Sequence, residues 1–221
     1  YFGNAKRRLV TLIERVLALF TDQLLAVGDK VMQDLVKAGI GNLQKFELMP
    51  PGLEINTLPS KKEAQAIYGT SSKSLQCILI GRVTQIKRPD RLLDAIKILK
   101  EKNVEVQFLI ATDFMSEDIY IPPNVQIFTN RLSEVEMVKF YSISDLCLGQ
   151  ISSNPRIERT IPHKAFEALY FSKCYLTLPS KPILELLPSA SERASLKNPE
   201  PMDLAKEIQR LSRITVEVKE I

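Results

Sequence analysis

Apolar positions along the chain fall into two alternating rhythms, short unbroken runs and longer stretches in which they recur every three or four residues. From Gln76 onward the alternation is regular. Strands are predicted at 76–82, 105–111, 125–128, 145–149, 174–178 and 193–196. Helices are predicted near 89–102, 133–142, 162–172, 181–187 and 201–212. Strand and helix in strict succession predict an α/β fold, a Rossmann-like doubly wound parallel sheet.

The first fifty residues follow the same rhythm less completely. Leu9, Leu12, Ile13, Val16, Leu17 and Phe20 have helical spacing within Asn4–Phe20, with Lys6, Arg7, Arg8 and Arg15 largely elsewhere. Such a basic amphipathic helix suits packing on a sheet, and also suits a membrane surface. Gln23–Val27 is predicted as a short strand, Asp29 as an N-cap, Lys30–Ala38 as a helix closed by Gly39, and Phe46–Met49 as another strand. These elements form two βα-type units without a sheet of their own, so residues 1–55 are expected to be the tail of a partial second α/β domain. A polar stretch with Pro59, Gly69 and Thr70-Ser71-Ser72 surrounds a short helical pattern at Lys61–Tyr68, and residues 56–75 are expected to link the two. Residues 76–213 would be the main domain and 214–221 a tail.

Composition narrows the picture. The chain has 221 residues, 45% hydrophobic and 25% charged, as in an ordinary globular protein. No apolar run approaches the ~18 residues of a membrane span, and a cytoplasmic location is expected, with the inner face of a membrane left open to the basic helix. Cys77, Cys147 and Cys174 lie far apart in apolar runs, which favours reduced thiols over disulfides or metal ligands. His163 is the single histidine, so no His-rich metal site and no cofactor are expected. The net charge of +4 is spread along the chain, and no nucleic-acid partner is expected.

Candidate chemistry gathers at one corner. The run Gln76-Cys77-Ile78-Leu79-Ile80 ends in Gly81-Arg82, and a polar turn with Lys87 and Arg88 leads into a helix opened by Pro89. A helix start has unpaired N–H groups and a positive dipole end, so cations there make an anion site. Three basic residues on a turn can also be simply solvated. In the strand order 3-2-1-4-5-6, ligands bind where the order reverses, between the loops after the first and fourth strands. Those loops are 82–88 and 149–161. The second carries Arg156, Glu158 and Arg159 and runs into Pro162, His163, Lys164 and Glu167.

Gly81-Arg82, then Lys87 and Arg88-Pro89-Asp90, is similar to the phosphate-binding segment of group 1 (family 4) GT-B glycosyltransferases. The resemblance covers almost the whole chain. Asp22–Gly28, Gly39-Ile40 and Pro50-Pro51-Gly52-Leu53-Glu54 look like the end of that family's N-terminal domain. Leu132-Ser133-Glu134-Val135-Glu136-Met137, Tyr141 and Ser144-Asp145 resemble the elements before its donor loop. Ile161-Pro162-His163-Lys164-Ala165-Phe166-Glu167-Ala168-Leu169 resembles its Ile-Pro-Asn-Lys-x-Phe-Glu signature, and Asn198-Pro199-Glu200 with Leu204-Ala205 its late helix.

What the resemblance implies is a metal-independent, retaining transferase of hexosyl type, with a nucleotide-diphosphate sugar donor held by this chain's C-terminal domain. Carried over, Gly81, Arg82 and Lys87 would bind the diphosphate and Glu167 the ribose hydroxyls. Asn130-Arg131-Leu132 would lie beside the base, and Arg159 and Lys164 would border the same crevice. The acceptor, whether a sugar, a lipid-linked sugar or a polysaccharide, would need an N-terminal domain whose front half is missing from this sequence, so the chain alone is expected to be inactive. The sequence departs from the family at four places. Arg159 stands where the first of two paired glutamates is usual, with Glu158 beside it. Ser172 and Cys174 replace the glycine and the proline of a following Gly-Lys-Pro, and His163 replaces an asparagine. His163 is expected to hydrogen-bond a phosphate or the backbone. No catalytic residue is assigned, and the alternative function is a non-catalytic Rossmann-like nucleotide-binding or interaction module.

Overall fold

A computed structural model of the chain describes residues 4–49, 52, 61–68, 74–81, 88–113, 120–159, 161–187 and 193–219. It divides into two compact units, one of residues 1–52 with 155–161, the other of residues 53–154 with 162–221.

In the first unit, helix α1 (Asn4–Phe20) is followed by strand β1 (Leu24–Ala26), helix α2 (Asp29–Lys37), a 3-10 turn (Leu43–Lys45) and strand β2 (Phe46–Leu48). β1 and β2 pair in parallel, Leu24 opposite Phe46 and Ala26 opposite Leu48, so this part has a small sheet where none was expected. The N-cap of α2 is Gly28 and not Asp29, which sits in the first turn where its charge suits the dipole. Gly39 takes a positive φ of 75° just beyond the helix, as a left-handed stop requires. The amphipathic face of α1 is not packed away as anticipated. Leu12, Leu17 and Phe20 are exposed, Phe20 by 82%. Two three-residue strands have too little area to cover a seventeen-residue helix. What ties α1 down is polar: Arg15 donates to the Ala38 carbonyl, and Lys45 to those of Ala18 and Thr21.

The second unit opens with α3 (Lys61–Tyr68) and holds a parallel sheet of six strands: β3 (Leu75–Ile80), β4 (Val106–Ala111), β5 (Val125–Phe128), β6 (Leu146–Leu148), β7 (Cys174–Thr177) and β8 (Arg193–Ser195). Its order is β5-β4-β3-β6-β7-β8. Counted from β3 this is the expected 3-2-1-4-5-6, and direction reverses between β3 and β6. The helices are α4 (Pro89–Glu101), α5 (Glu134–Ile143), α6 (His163–Tyr170), α7 (Lys181–Leu186) and α8 (Pro201–Lys219), the last running beyond its predicted end.

Strands β3 and β4 are apolar on both faces apart from Gln76 and Gln107, because helices cover both faces. With right-handed crossovers, stepping one way from β3 to β4 and the other way from β5 to β6 puts α4 and α5 on opposite faces. α8 packs on α4, and α3 packs on α5. Tyr68, Phe128 and Phe140 meet edge to face with centroids 4.8–5.6 Å apart. The largest fully buried side chains, among them Phe108, Tyr141, Tyr175 and Leu92, lie on the strands and on α4 and α5. This core fixes the strands' carboxyl ends, from which the candidate site is built.

Candidate functional site

Backbone pairing continues one residue past the strands and makes a floor there. The Gly81 N–H donates to the Ala111 carbonyl at 2.9 Å, and the Thr112 N–H to that of Phe128 at 2.9 Å. Gly81 has φ 146°, a conformation that a side chain would strain. Above this floor opens a cleft of about 860 Å³, lined by Gly81, Thr112, Asp113, Thr129 to Leu132, Met137 and Lys164 among others. Its position follows the rule that open parallel sheets bind ligands beyond their carboxyl ends.

The wall carrying Arg131 and Leu132 is set by the start of α5. Ser133 caps that helix, its hydroxyl accepting from the Glu136 N–H, while the Glu136 carboxylate accepts from the Ser133 hydroxyl and N–H, both at 2.7 Å. The Ser133 hydroxyl and then its backbone N–H hold the Glu136 carboxyl below its ordinary pKa. This reciprocal box fixes where the helix begins, and so where the preceding loop ends.

The opposite wall comes from α6. Glu167 is buried, 2% exposed, in a helix otherwise apolar on that side. Lys164 Nζ donates to both of its oxygens, at 2.8 Å to Oε1 and 2.7 Å to Oε2, and His163 Nδ1 lies 2.9 Å from Oε1. Spacings of three and four residues on a helix bring all three together. Burial, then the Glu167 charge, holds the Tyr141 phenol well above its usual pKa. His163 therefore meets a carboxylate of its own helix through Nδ1.

Arg82 and Lys87 lie outside the described residues. Arg88 caps α4 at φ 46° and folds back on Asp90 with three hydrogen bonds of 2.6–3.1 Å, so its charge is spent on its own helix. Segment 155–161 belongs to the first unit, where Arg159 Nε lies 3.3 Å from Asp34 Oδ2. Of the second unit's residues from this region, Lys164 lines the cleft and residues 149–154 do not. Gly81, Arg131, Leu132 and Lys164 share one cleft, while Glu167 stands behind Lys164 and is not on the lining.

Sequence reasoning passed over Thr112, Asp113, Thr129 and Met137. The same topological rule would have found the first three, because each follows directly on β4 or β5. Asp113 adds a negative charge to a lining that also holds Arg131 and Lys164, so the lining is mixed in sign.

Residues 60–217 match the family model described as "Glycosyl transferases group 1". The chain belongs to the group 1 glycosyltransferase family. No curated protein matches its sequence. Among solved structures, a glycosyltransferase from Rickettsia africae ESF-5 is similar at TM-score 0.70 with 17% identity, covering 99% of this chain and 63% of that one. Anabaena HepE, in complex with UDP and glucose, is similar at TM-score 0.64 and 14% identity, covering 95% and 62%. Sucrose-phosphate synthase from Thermosynechococcus elongatus follows at 0.67 and 12%, covering 96% and 56%. At these identities the likeness concerns the fold, that of GT-B glycosyltransferases, and the chain spans about three-fifths of the length of these structures. No helix among the described residues is long and apolar enough to cross a membrane.

Proposed function

We propose that this chain is the donor-binding part of a retaining, metal-independent hexosyltransferase, and that a nucleotide-diphosphate sugar occupies the cleft at the carboxyl ends of β3, β4 and β5. The observation that carries the reading is the meeting of Gly81, Arg131, Leu132 and Lys164 around one cleft in a group 1 glycosyltransferase fold. Two of the neighbours support the donor class, since HepE is described with UDP and glucose and again with UDP-glucose.

In this reading the diphosphate lies over Gly81, where the absence of a side chain lets an anion approach the backbone. Arg82 and Lys87 bind it from the turn before α4. Cations so placed stabilise the charge that develops on a departing diphosphate and so take the part a metal ion plays elsewhere. Arg131 and Leu132 border the base. The acceptor is a sugar, a lipid-linked sugar or a polysaccharide, bound by an N-terminal domain of which residues 1–55 are the tail. Work is cytoplasmic, where free Cys77, Cys147 and Cys174 stay reduced. Contact with the inner face of a membrane is supported by the exposed apolar residues of α1 beside Lys6, Arg7 and Arg8.

Saturation-transfer NMR with UDP-, GDP- and ADP-sugars tests the reading without an acceptor. One of the three should show saturation of its nucleoside protons. Arg82→Ala and Lys87→Ala should each weaken that binding by ~1.5–3 kcal/mol, the range for hydrogen bonds to charged groups. Absence of transfer to all three would contradict it.

A further inference from the structure

We propose that the Gln150 carboxamide binds hydroxyl groups of the donor's sugar and so selects which sugar the chain accepts. The inference rests on the donor-binding reading and names, within it, a residue that meets the transferred group.

Sheet register carries it first. β3 and β6 are neighbours where the strand order reverses, with Cys77 opposite Leu146 and Ile78 opposite Cys147. Carried on to the ends of the two strands, this register puts Gln150 beside Gly81. Pairing on the other side of β6 reaches the same height: the Gly149 N–H donates to the Leu176 carbonyl at 2.8 Å, and the Leu178 N–H to that of Gln150 at 3.1 Å. Gln150 is thus held as an extension of β6, one strand spacing of about 4.8 Å from the glycine over which the diphosphate lies in this reading. Among the described residues, the cleft lining includes β3 but no residue of β6 or β7. With the base at Arg131 beyond β5 and the diphosphate at Gly81 beyond β3, the next strand end in line is that of β6. The group that a nucleotide sugar carries past its diphosphate is the sugar.

The second observation is polarity where the core is otherwise apolar. Gln150, Ser152, Thr177 and Ser180 are all buried at the carboxyl ends of β6 and β7. The Thr177 hydroxyl accepts from the Gln150 N–H and donates to the Gln150 carbonyl, both at 3.2 Å, and Ser152 Oγ accepts from the Asn154 N–H at 3.4 Å. These bonds use the backbone of Gln150 and leave its side chain. Among the described residues the Gln150 carboxamide has no hydrogen-bond partner, and neither has Ser180 Oγ. Buried polar groups are almost always paired, so two left unpaired beyond neighbouring strand ends mark a place for a ligand's polar groups. A carboxamide sets an acceptor oxygen beside two N–H donors, which matches neighbouring hydroxyls, each able to give and to take a bond. Being neutral, it adds little to the hold on a diphosphate, which charged donors bind more strongly.

Titration calorimetry on the 221-residue chain tests this with UDP, GDP and ADP and with UDP-glucose, UDP-galactose, GDP-mannose and ADP-glucose. The variant is Gln150→Met, close in size and without the amide. Its affinity for the bare diphosphate should equal that of wild type, while the best-bound sugar conjugate should weaken about three- to tenfold, the worth of one or two neutral hydrogen bonds. A monodeoxy conjugate lacking the contacted hydroxyl should show a similar loss with wild type and no further loss with Gln150→Met. Should the variant not fold, the Gln150 side-chain N–H resonances of wild type read the same contact. They should shift with the conjugate and stay in place with the diphosphate. Equal weakening of diphosphate and conjugate, no weakening of either, or a wild type that binds a diphosphate and none of the conjugates would overturn the inference and leave nucleotide binding standing. Failure of wild type to bind any of the three diphosphates would overturn the donor reading, and this inference with it.

Discussion

Lys164 closes on Glu167 with its ammonium 2.8 and 2.7 Å from the two carboxylate oxygens, and the carboxylate is otherwise shut away from water. A buried charge that loses its partner keeps its desolvation penalty and loses its attraction. Lys164→Met should therefore lower stability by about 3 kcal/mol in urea unfolding, at the low end of such changes because Lys164 is partly exposed. Adding Glu167→Gln should recover most of that loss. An undiminished deficit in the double variant would show that the lysine stabilises by packing alone.

Gly149, at the end of β6, has no room for a side chain. A Cβ there would stand 2.6 Å from Tyr175 Cζ and 2.8 Å from Thr177 Cβ, both on the neighbouring strand and both fully buried. Neither can retreat without moving the sheet. Gly149→Ala should cost about 1–3 kcal/mol, the usual range for overpacking a core. Gly52→Ala, where a Cβ would meet nothing within 4 Å, should be close to neutral. Equal melting temperatures for the two variants would contradict the packing described.

Stability should fall at alkaline pH. Burial pushes the Cys147 thiol from an ordinary 9 up to about 12, and it raises the Cys77 thiol and the Tyr141 and Tyr175 phenols as well. Acids whose folded pKa is raised keep their protons in the native state and release them on unfolding. For Cys147 the contribution is complete below pH 9 and is lost as pH rises to about 12, at about 1.4 kcal/mol per unit. Urea midpoints should decline across this window, and Cys147→Ala should flatten the decline. A midpoint constant from pH 9 to 12 would contradict it.

Much of the fold was legible because its signals are local. An apolar run followed by a helical stripe declares a βα unit wherever it occurs, so the strand order and the cleft's place at the carboxyl ends followed from β3 to β6 alone. Pairing between side chains was less legible. Arg88 and Asp90 are two residues apart, yet nothing in the sequence separates an arginine free to bind phosphate from one folded on its own helix. Arg159 and Asp34 are remote in the chain, and no local pattern joins them. Glu167 is intermediate. Its burial could be anticipated from the apolar residues around it, but the neighbours that saturate it could not, because Lys164 and His163 read equally well as residues of a solvated turn. The two-strand pairing of β1 with β2 was missed because three-residue strands give almost no periodicity.

The most direct measurement is a map of backbone amide shifts as UDP, GDP or ADP is added. Among the described residues, one open cleft lies at the strands' carboxyl ends around Gly81, Arg131 and Lys164, and another of about 510 Å³ lies at their amino ends around Lys100, Asn103 and Asn124. The account predicts saturable shifts at Gly81, Thr112, Asn130, Arg131, Leu132 and Lys164, with Lys100, Asn103 and Asn124 unmoved. Shifts confined to the second cleft, or none with any of the three nucleotides, would contradict it.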